Sequence, residues 1–320
     1  APFRSLANGV FAQLNLRSAK SRFAKLFDGG GKSVLKQTNK VTTSSQEPFF
    51  TFLNLMDIHS PHHHIRGFDR SMHGVDPSWT TIDEFDLWEA NLNPSSRDEK
   101  DIERYRSLYA ASIDYLDRIV SEFIEDLIDS TDRETTVIIT SDHGEDLGFE
   151  ADFHRVGHTV GLSEGLLHVP LEIINPPDGY PADVDEYVSQ LQLGELIAGL
   201  AAGKTPDVTT TTPTAERITA SGIPDTVEDP DYWKRTIRCA YEDGQKVVWD
   251  SQGRSIIYDL DRERPCWQEK IDEIEGTPDY DQTHFDLGIA ATHDRFAHGS
   301  SSLADVDDAT KERLEELGYL

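Results

Sequence analysis

The 320 residues carry 59 acidic against 30 basic side chains, a formal net charge of −29. That surplus excludes a nucleic-acid binder, which needs clustered Lys and Arg, and argues against docking on an anionic membrane surface. The acid is spread along the whole chain, as in halophile proteins kept hydrated at high salt. No apolar run approaches the roughly 18 residues that span a bilayer. The two cysteines, Cys239 and Cys266, give no disulfide framework and are expected as buried thiols. With no leader visible, a cytoplasmic location is expected, with export left open.

In chain order, residues 1–27 show helical spacing of Leu6, Val10, Leu14, Phe23, Leu26 and Phe27 and predict a surface helix pair. The run Asp28-Gly29-Gly30-Gly31-Lys32-Ser33 is no phosphate loop, because Leu26 stands where the first glycine is required and no strand precedes it. It predicts a turn before a helix. Residues 49–56 read as a buried strand that ends in Asp57-Ile58-His59-Ser60-Pro61, with His62, His63 and His64 expected in solvent. Asp57 is expected to cap the loop beneath His59. Residues 66–97 read as a long irregular insertion of the kind that often shapes a pocket.

Asp98 is a natural N-cap for an amphipathic helix through Ile128, with an apolar stripe of Ile102, Tyr105, Leu108, Tyr109, Ile113, Leu116, Val120, Phe123, Ile124 and Leu127. It feeds a β-branched run, Thr136-Val137-Ile138-Ile139-Thr140, too short for a helix and without alternation, which predicts a buried strand of a parallel sheet. The strand stops at Ser141-Asp142-His143-Gly144-Glu145. In open α/β sheets ligands bind at the carboxyl ends of strands. A carboxylate beside an imidazole there forms half of a divalent-cation site, and Gly144 is expected to let the chain turn away. Glu145 and Asp146 read by default as a solvated loop, with added negative potential near the metal as the other reading.

Further strands and helices follow: a buried strand over residues 169–174, with His168 before it as a structural histidine, and a helix around residues 189–200. Residues 204–231, dense in Thr, Pro and Asp, read as a connecting loop. Short strands over residues 236–241, 245–250 and 255–260, joined by glycine-bearing turns, predict an antiparallel meander. A helix over residues 308–317 ends the pattern. The organisation expected is an α/β domain over residues 1–203, the connecting loop over 204–231, and an antiparallel subdomain with a terminal helix over 232–320.

Four blocks in this order carry a resemblance: Pro48 to Pro61, the Asp142-His143-Gly144 loop, Gly157-His158-Thr159 with Leu167-His168-Val169-Pro170, and Leu314-Glu315-Glu316-Leu317-Gly318-Tyr319-Leu320. Together they resemble the sulfatase branch of the alkaline-phosphatase superfamily, of haloarchaeal type. The resemblance implies a mainly parallel sheet between helices and cleavage of small-molecule or carbohydrate sulfate esters. It makes Asp142 and His143 metal ligands, His59 the group that contacts the sulfate and protonates the leaving oxygen, and His158 a contact to the sulfate oxygens. The implied ion is a divalent cation, Ca²⁺ first, then Mg²⁺ or Mn²⁺. Histidine at position 143 also occurs in phosphatase-like relatives, so phosphoester hydrolysis or phosphotransfer is the alternative, with an inactive binding homologue as the third reading. The family's paired aspartates and its Cys/Ser-x-Pro-x-Arg segment, where formylglycine matures, do not occur in these 320 residues. The expectation is therefore a C-terminal part of a longer protein, inactive by itself.

Overall fold

A computed structural model describes residues 28–297, apart from residues 83, 96, 131–132, 220–222 and 225–226. The helices expected over residues 1–27 and 308–317 lie outside the described residues. The chain divides into two compact units, the first ending at Val137 and the second beginning at Ile138.

Among the described residues of the first unit, α1 (Gly31–Ser44), α2 (Leu87–Leu92) and α3 (Glu99–Asp129) are the helices. The Asp98 side chain caps α3 by accepting the Lys100 amide at 2.9 Å, and Glu99 and Asp101 place further negative charge on its first turn. Its buried face is Ile102, Tyr105, Leu108, Ala111, Ser112, Tyr115, Ile119, Ile124 and Leu127. Ile113, expected in the stripe, is exposed. The 3.6-residue turn carries the buried line through Ser112 and Tyr115 instead.

The glycine turn before α1 forms as expected, but Asp57 serves it rather than the His59 loop. Its Oδ1 accepts the amides of Gly29 at 2.9 Å and Gly31 at 3.4 Å, a carboxylate seated on a helix N-terminus. A Cβ on Gly31 would lie 2.5 Å from Asp57 Oδ2, so the close approach requires glycine. Burial, and then the Asp28 charge, raise the Asp57 carboxyl despite those amides. The Tyr115 hydroxyl donates to Asp28 at 2.6 Å and ties the turn to α3.

Residues 49–56 do not form a strand. They find no ladder partner among the described residues, and Phe50 and Phe52 stand 73 % and 79 % exposed. The insertion that follows is a packed cover: Phe68, Val75, Trp79 and Phe85 are buried, and the Phe85 ring stacks on Tyr105 at 5.4 Å. This cover also removes His62 and His64 from solvent. His62 meets the rings of Tyr105 and Tyr109, and His64 meets Phe68 and His73.

The second unit opens with β1 (Val137–Thr140), whose partner is β4 (Leu171–Ile174). Among the described residues no wider sheet forms around this pair, so both strands are half-buried or exposed rather than sealed on two faces. Between them lie β2 (Asp146–Leu147), β3 (Val156–Gly157) and α4 (Glu164–Leu167). His168 is exposed, not a core histidine. Then come β5 (Tyr187–Val188), α5 (Leu193–Ala201) and β6 (Thr209–Thr210), with Leu196, Leu200 and Val208 forming a small core against Ile138 and Ile173.

Inside the segment read as a connecting loop, β7 (Thr214–Arg217) joins the C-terminal sheet and α6 (Pro230–Lys234) follows. The meander is β8 (Ile237–Glu242), β9 (Gln245–Asp250), β10 (Arg254–Leu260) and β11 (Gln268–Glu275), antiparallel in the order β11-β10-β9-β8-β7. Asp243 and Gly244, at φ 50° and 82°, make the two-residue turn between β8 and β9. One face of the sheet packs Trp249 and Ala240 against Ile289, on a helical segment comprising α7 (Tyr280–Thr283) and α8 (Ile289–Ala297). Cys239 is buried as expected, whereas Cys266 is exposed, and both are free thiols.

Two buried cations fasten the sheet. Lys246 Nζ reaches Glu164 Oε1 at 2.6 Å and the Leu162 carbonyl at 2.9 Å, while the Tyr241 hydroxyl donates to the same carboxylate oxygen at 2.7 Å. Arg238 Nη1 reaches Asp281 at 2.7 Å and the Leu287 carbonyl at 2.8 Å. No described helix is long and apolar enough to cross a membrane.

Candidate metal and oxyanion site

The loop that leaves β1 is held by its own polar groups. Ser141 Oγ donates to the His143 carbonyl at 2.6 Å, and the His143 amide donates to Asp142 Oδ1 at 3.0 Å. His143 Nδ1 lies 2.8 Å from the Gly144 carbonyl. A carbonyl only accepts, so Nδ1 carries the proton and Nε2 is left as the acceptor. Asp142 Oδ2 is 3.8 Å from that Nε2.

Gly144 is required for a reason other than the one expected. A Cβ there would sit 2.0 Å from the Gly165 carbonyl oxygen, and its amide donates to Leu166 at 2.8 Å. The loop is thus pinned against α4, and any larger residue would push the two apart.

After Gly144 the chain enters a short hairpin. Asp146 pairs with Gly157 and Leu147 with Val156. Extending that register by one step sets Glu145 opposite His158. Their side chains meet: His158 Nδ1 donates to Glu145 Oε2 at 2.8 Å, and the His158 ring stacks on His143 with centroids 4.4 Å apart. A carboxylate on Nδ1 fixes the tautomer and turns Nε2 away from Glu145. Burial pulls the His158 imidazole down, but the bond to Glu145 and the charges of Glu145, Asp142 and Asp146 outweigh it, so its pKa is raised.

The hairpin is braced from below. Asp152 Oδ2 accepts the amides of Leu147 at 2.9 Å and Phe149 at 3.2 Å. Asp146 is fully buried and accepts from Ser163 Oγ. Burial, and next the Asp152 charge, push its carboxyl up to about 8.

Of the expected site residues, the second unit brings Asp142, His143 and His158 into one cluster. Glu145 is the addition: expected in solvent, it is only 8 % exposed and completes a group in which ligand atoms of His143, Glu145 and His158 lie within 4.8 Å of one another. The hairpin glycines, Gly148 and Gly157 at φ 77° and 84°, were the available signal that this stretch folds back on itself. His154, given less weight in sequence, is exposed on the turn at φ 58°. His59 belongs to the first unit, where it is half-buried with Nδ1 on the Ser60 carbonyl and its amide on the Met56 carbonyl at 3.2 Å.

The donor set bears on which ion fits. One carboxylate and one imidazole, with a second imidazole and carboxylate alongside, accept a borderline divalent ion such as Mn²⁺ or Zn²⁺ more readily than Ca²⁺, whose ligands are oxygens.

The likeness to solved structures extends over most of the chain. A phosphonate monoester hydrolase of Agrobacterium radiobacter superposes with a TM-score of 0.53 at 16 % identity, over 94 % of this chain and 63 % of that one. The chain therefore spans less than two thirds of that neighbour's length. A sulfatase candidate from Bacteroides thetaiotaomicron gives a TM-score of 0.39 at 10 % identity, over 90 % of this chain and 57 % of that one. No curated protein sequence matches significantly. The family model for Sulfatase matches residues 28–204, more than half of the chain and the whole of the segment that carries the Asp142 loop and the hairpin, and the chain accordingly belongs to the sulfatase family.

Proposed function

We propose that this chain supplies the metal-binding and oxyanion-binding part of a hydrolase of sulfate monoesters, with Asp142 and His143 holding a divalent cation. The observation that carries the reading is the Glu145–His158 hydrogen bond set beside the stacked His143 ring. In this reading a proton-bearing imidazole stands next to the two proposed metal ligands, the arrangement a transferring oxyanion needs for charge neutralisation. A bound cation would supply Lewis-acid polarisation of the ester oxygens. The protonated His158, favoured and oriented by Glu145, then donates from Nε2 to a non-bridging oxygen.

Turnover also needs a nucleophile, and no Cys/Ser-x-Pro-x-Arg segment occurs in these 320 residues. The proposal is accordingly of a part of a larger active unit, with formylglycine supplied outside this sequence. A second reading, hydrolysis of phosphorus monoesters, has His143 in its favour and the phosphonate monoester hydrolase among its structural neighbours.

Both readings are tested by equilibrium binding of inorganic sulfate and inorganic phosphate to the chain with Mn²⁺ present. Expected is saturable binding that needs the cation and falls by about 10- to 100-fold in His158→Ala, the loss of one charge-assisted hydrogen bond. Tighter sulfate than phosphate supports the first reading, and the reverse order the second. Anion binding indifferent to the cation and to His158→Ala would refute both.

A further inference from the structure

A second place in the same unit gathers positive charge in a chain of net charge −29. Alternate residues of three strands, Ile237 and the β9 residues Val248 and Asp250 with Arg254, Ile256 and Tyr258 of β10, share one face of the C-terminal sheet, as the pairings Ile237↔Asp250 and Ile256↔Val248 require. They floor a cavity of about 280 Å³ whose walls add Arg155, Arg235, Tyr232 and Lys270. None of Asp142, His143, Glu145 and His158 lines it.

The charges there do not balance. Arg235 is 6 % exposed, pairs with Asp250 at 3.1 Å and lies 3.7 Å from the Tyr232 ring centre. Arg254 and Lys270 share one carboxylate, Glu273. Arg155 makes no ion pair among the described residues. Behind the wall, Arg217 reaches only carbonyls, those of Thr159 at 3.1 Å, Arg235 at 2.9 Å and Trp233 at 3.5 Å, and its Nε is buried without a partner. Four cations thus line the cavity, Arg155, Arg235, Arg254 and Lys270, against the two carboxylates that pair with them, Asp250 and Glu273. Burial, followed by the neighbouring guanidiniums of Arg235 and Arg155, lowers Arg217, and burial chiefly lowers Arg235. Buried charge of one sign is costly unless a counter-charge joins it.

We propose that this cavity is a binding site for a small oxyanion monoester, a phosphate or sulfate group carried on a single ring, with Arg155 as its direct charge partner. The oxyanion supplies the missing negative charge to Arg155 and sits beside Lys270 and Arg254, which already share Glu273; their forked or multiple donors suit tetrahedral oxygens. The ring lies over the apolar floor of Val248, Ile256 and Tyr258. The volume, equal to about nine water molecules' share of the liquid, admits one ring and its charged group but not a peptide.

Isothermal titration with glucose 6-phosphate and with 4-nitrophenyl sulfate, at constant ionic strength and in excess EDTA, reads this site without the metal-dependent one. Expected is a single saturable site for at least one probe, weakened about 10- to 100-fold by Arg155→Gln, partly restored by Arg155→Lys, and untouched by Asp142→Ala. A thermal melt of Arg155→Gln matching wild type shows that the loss is local. The proposal is overturned by absence of saturable binding in EDTA, by equal affinity in Arg155→Gln, or by loss in Asp142→Ala with Arg155→Gln unaffected. It is equally overturned if chloride at the probe's concentration displaces the probe as well as phosphate does, since the cluster would then be an unselective counter-ion surface.

Discussion

The Glu145 carboxylate and the His158 imidazole meet at 2.8 Å because they continue the register of a two-residue hairpin, although thirteen positions separate them in sequence. The contact links the end of β1 to the segment before α4 and makes one orienting pair from two residues of separate loops.

Replacing Glu145 by Gln removes the charge and the charge-assisted bond that raise His158, leaving only the smaller contributions of Asp142 and Asp146 against burial. The His158 imidazole should then titrate below its wild-type position, followed by the ring proton resonances in a pH series. The sign for stability follows. A histidine raised in the folded state stabilises fully below its unfolded value, and loses that contribution as pH rises through the folded value. The stability gap between wild type and Glu145→Gln should therefore narrow on the alkaline side. An unchanged His158 midpoint would contradict the pairing.

Asp146 gives an opposite probe. Its carboxyl is held up to about 8 by burial and by Asp152, against an unfolded value near 3.8. Between those values the native state binds the extra proton, so this residue's contribution is intact below about 4 and is lost as pH rises toward 8. Asp146→Asn should flatten that loss, gaining on the order of a few kcal/mol relative to wild type at pH 8 compared with pH 4. Parallel melting curves for the two proteins across this range would contradict it.

Two glycines separate close approach from conformational freedom. Gly144→Ala places a methyl 2.0 Å from the Gly165 carbonyl and should displace the Asp142 loop, costing about 1–3 kcal/mol and weakening cation binding. A Cβ added at Gly194, in the first turn of α5, would meet nothing within 4 Å, and Gly194→Ala should stabilise by up to about 1 kcal/mol. Denaturant titration of both variants decides; equal effects would remove the distinction.

Lys246 is fully buried against Glu164 and the Leu162 carbonyl. Lys246→Met strands the Glu164 carboxylate and should cost about 3–5 kcal/mol, with part recovered in Lys246→Met/Glu164→Gln. A single-variant loss under about 1 kcal/mol in the same titration would show that the pair is replaceable by packing alone.

Sequence made some of this legible because the governing forces are local. The α3 cap at Asp98, the β1 run and the β8–β10 meander follow from side-chain capping, β-branching and the turns at Asp243-Gly244 and Gly253, all within a few residues. The Asp142-His143 loop stood out because it ends a strand. Glu145 was legible only as a charge near the loop, not as a buried partner of His158: its burial depends on a hairpin of two pairs, too short to leave an alternation. The stretch at residues 49–56 misled for the reverse reason. Its apolar pattern suits a strand, but a strand also needs a neighbour, and pattern alone cannot supply one. His62 and His64 were misread because the insertion that covers them has no period, yet packs Trp79 and Phe85 beside Tyr105.

The metal assignment is decided by calorimetric titration of Mn²⁺ into the metal-stripped chain, comparing wild type with Asp142→Ala, His143→Ala and His158→Ala. With Asp142 and His143 as the ligands and His158 reserved for the oxyanion, wild type should take a single equivalent. Asp142→Ala and His143→Ala should each weaken binding by on the order of 100-fold, and His158→Ala should stay within a few-fold of wild type. Undiminished binding in Asp142→Ala, together with its loss in His158→Ala, would contradict the assignment and move the cation to the cluster of His143, Glu145 and His158.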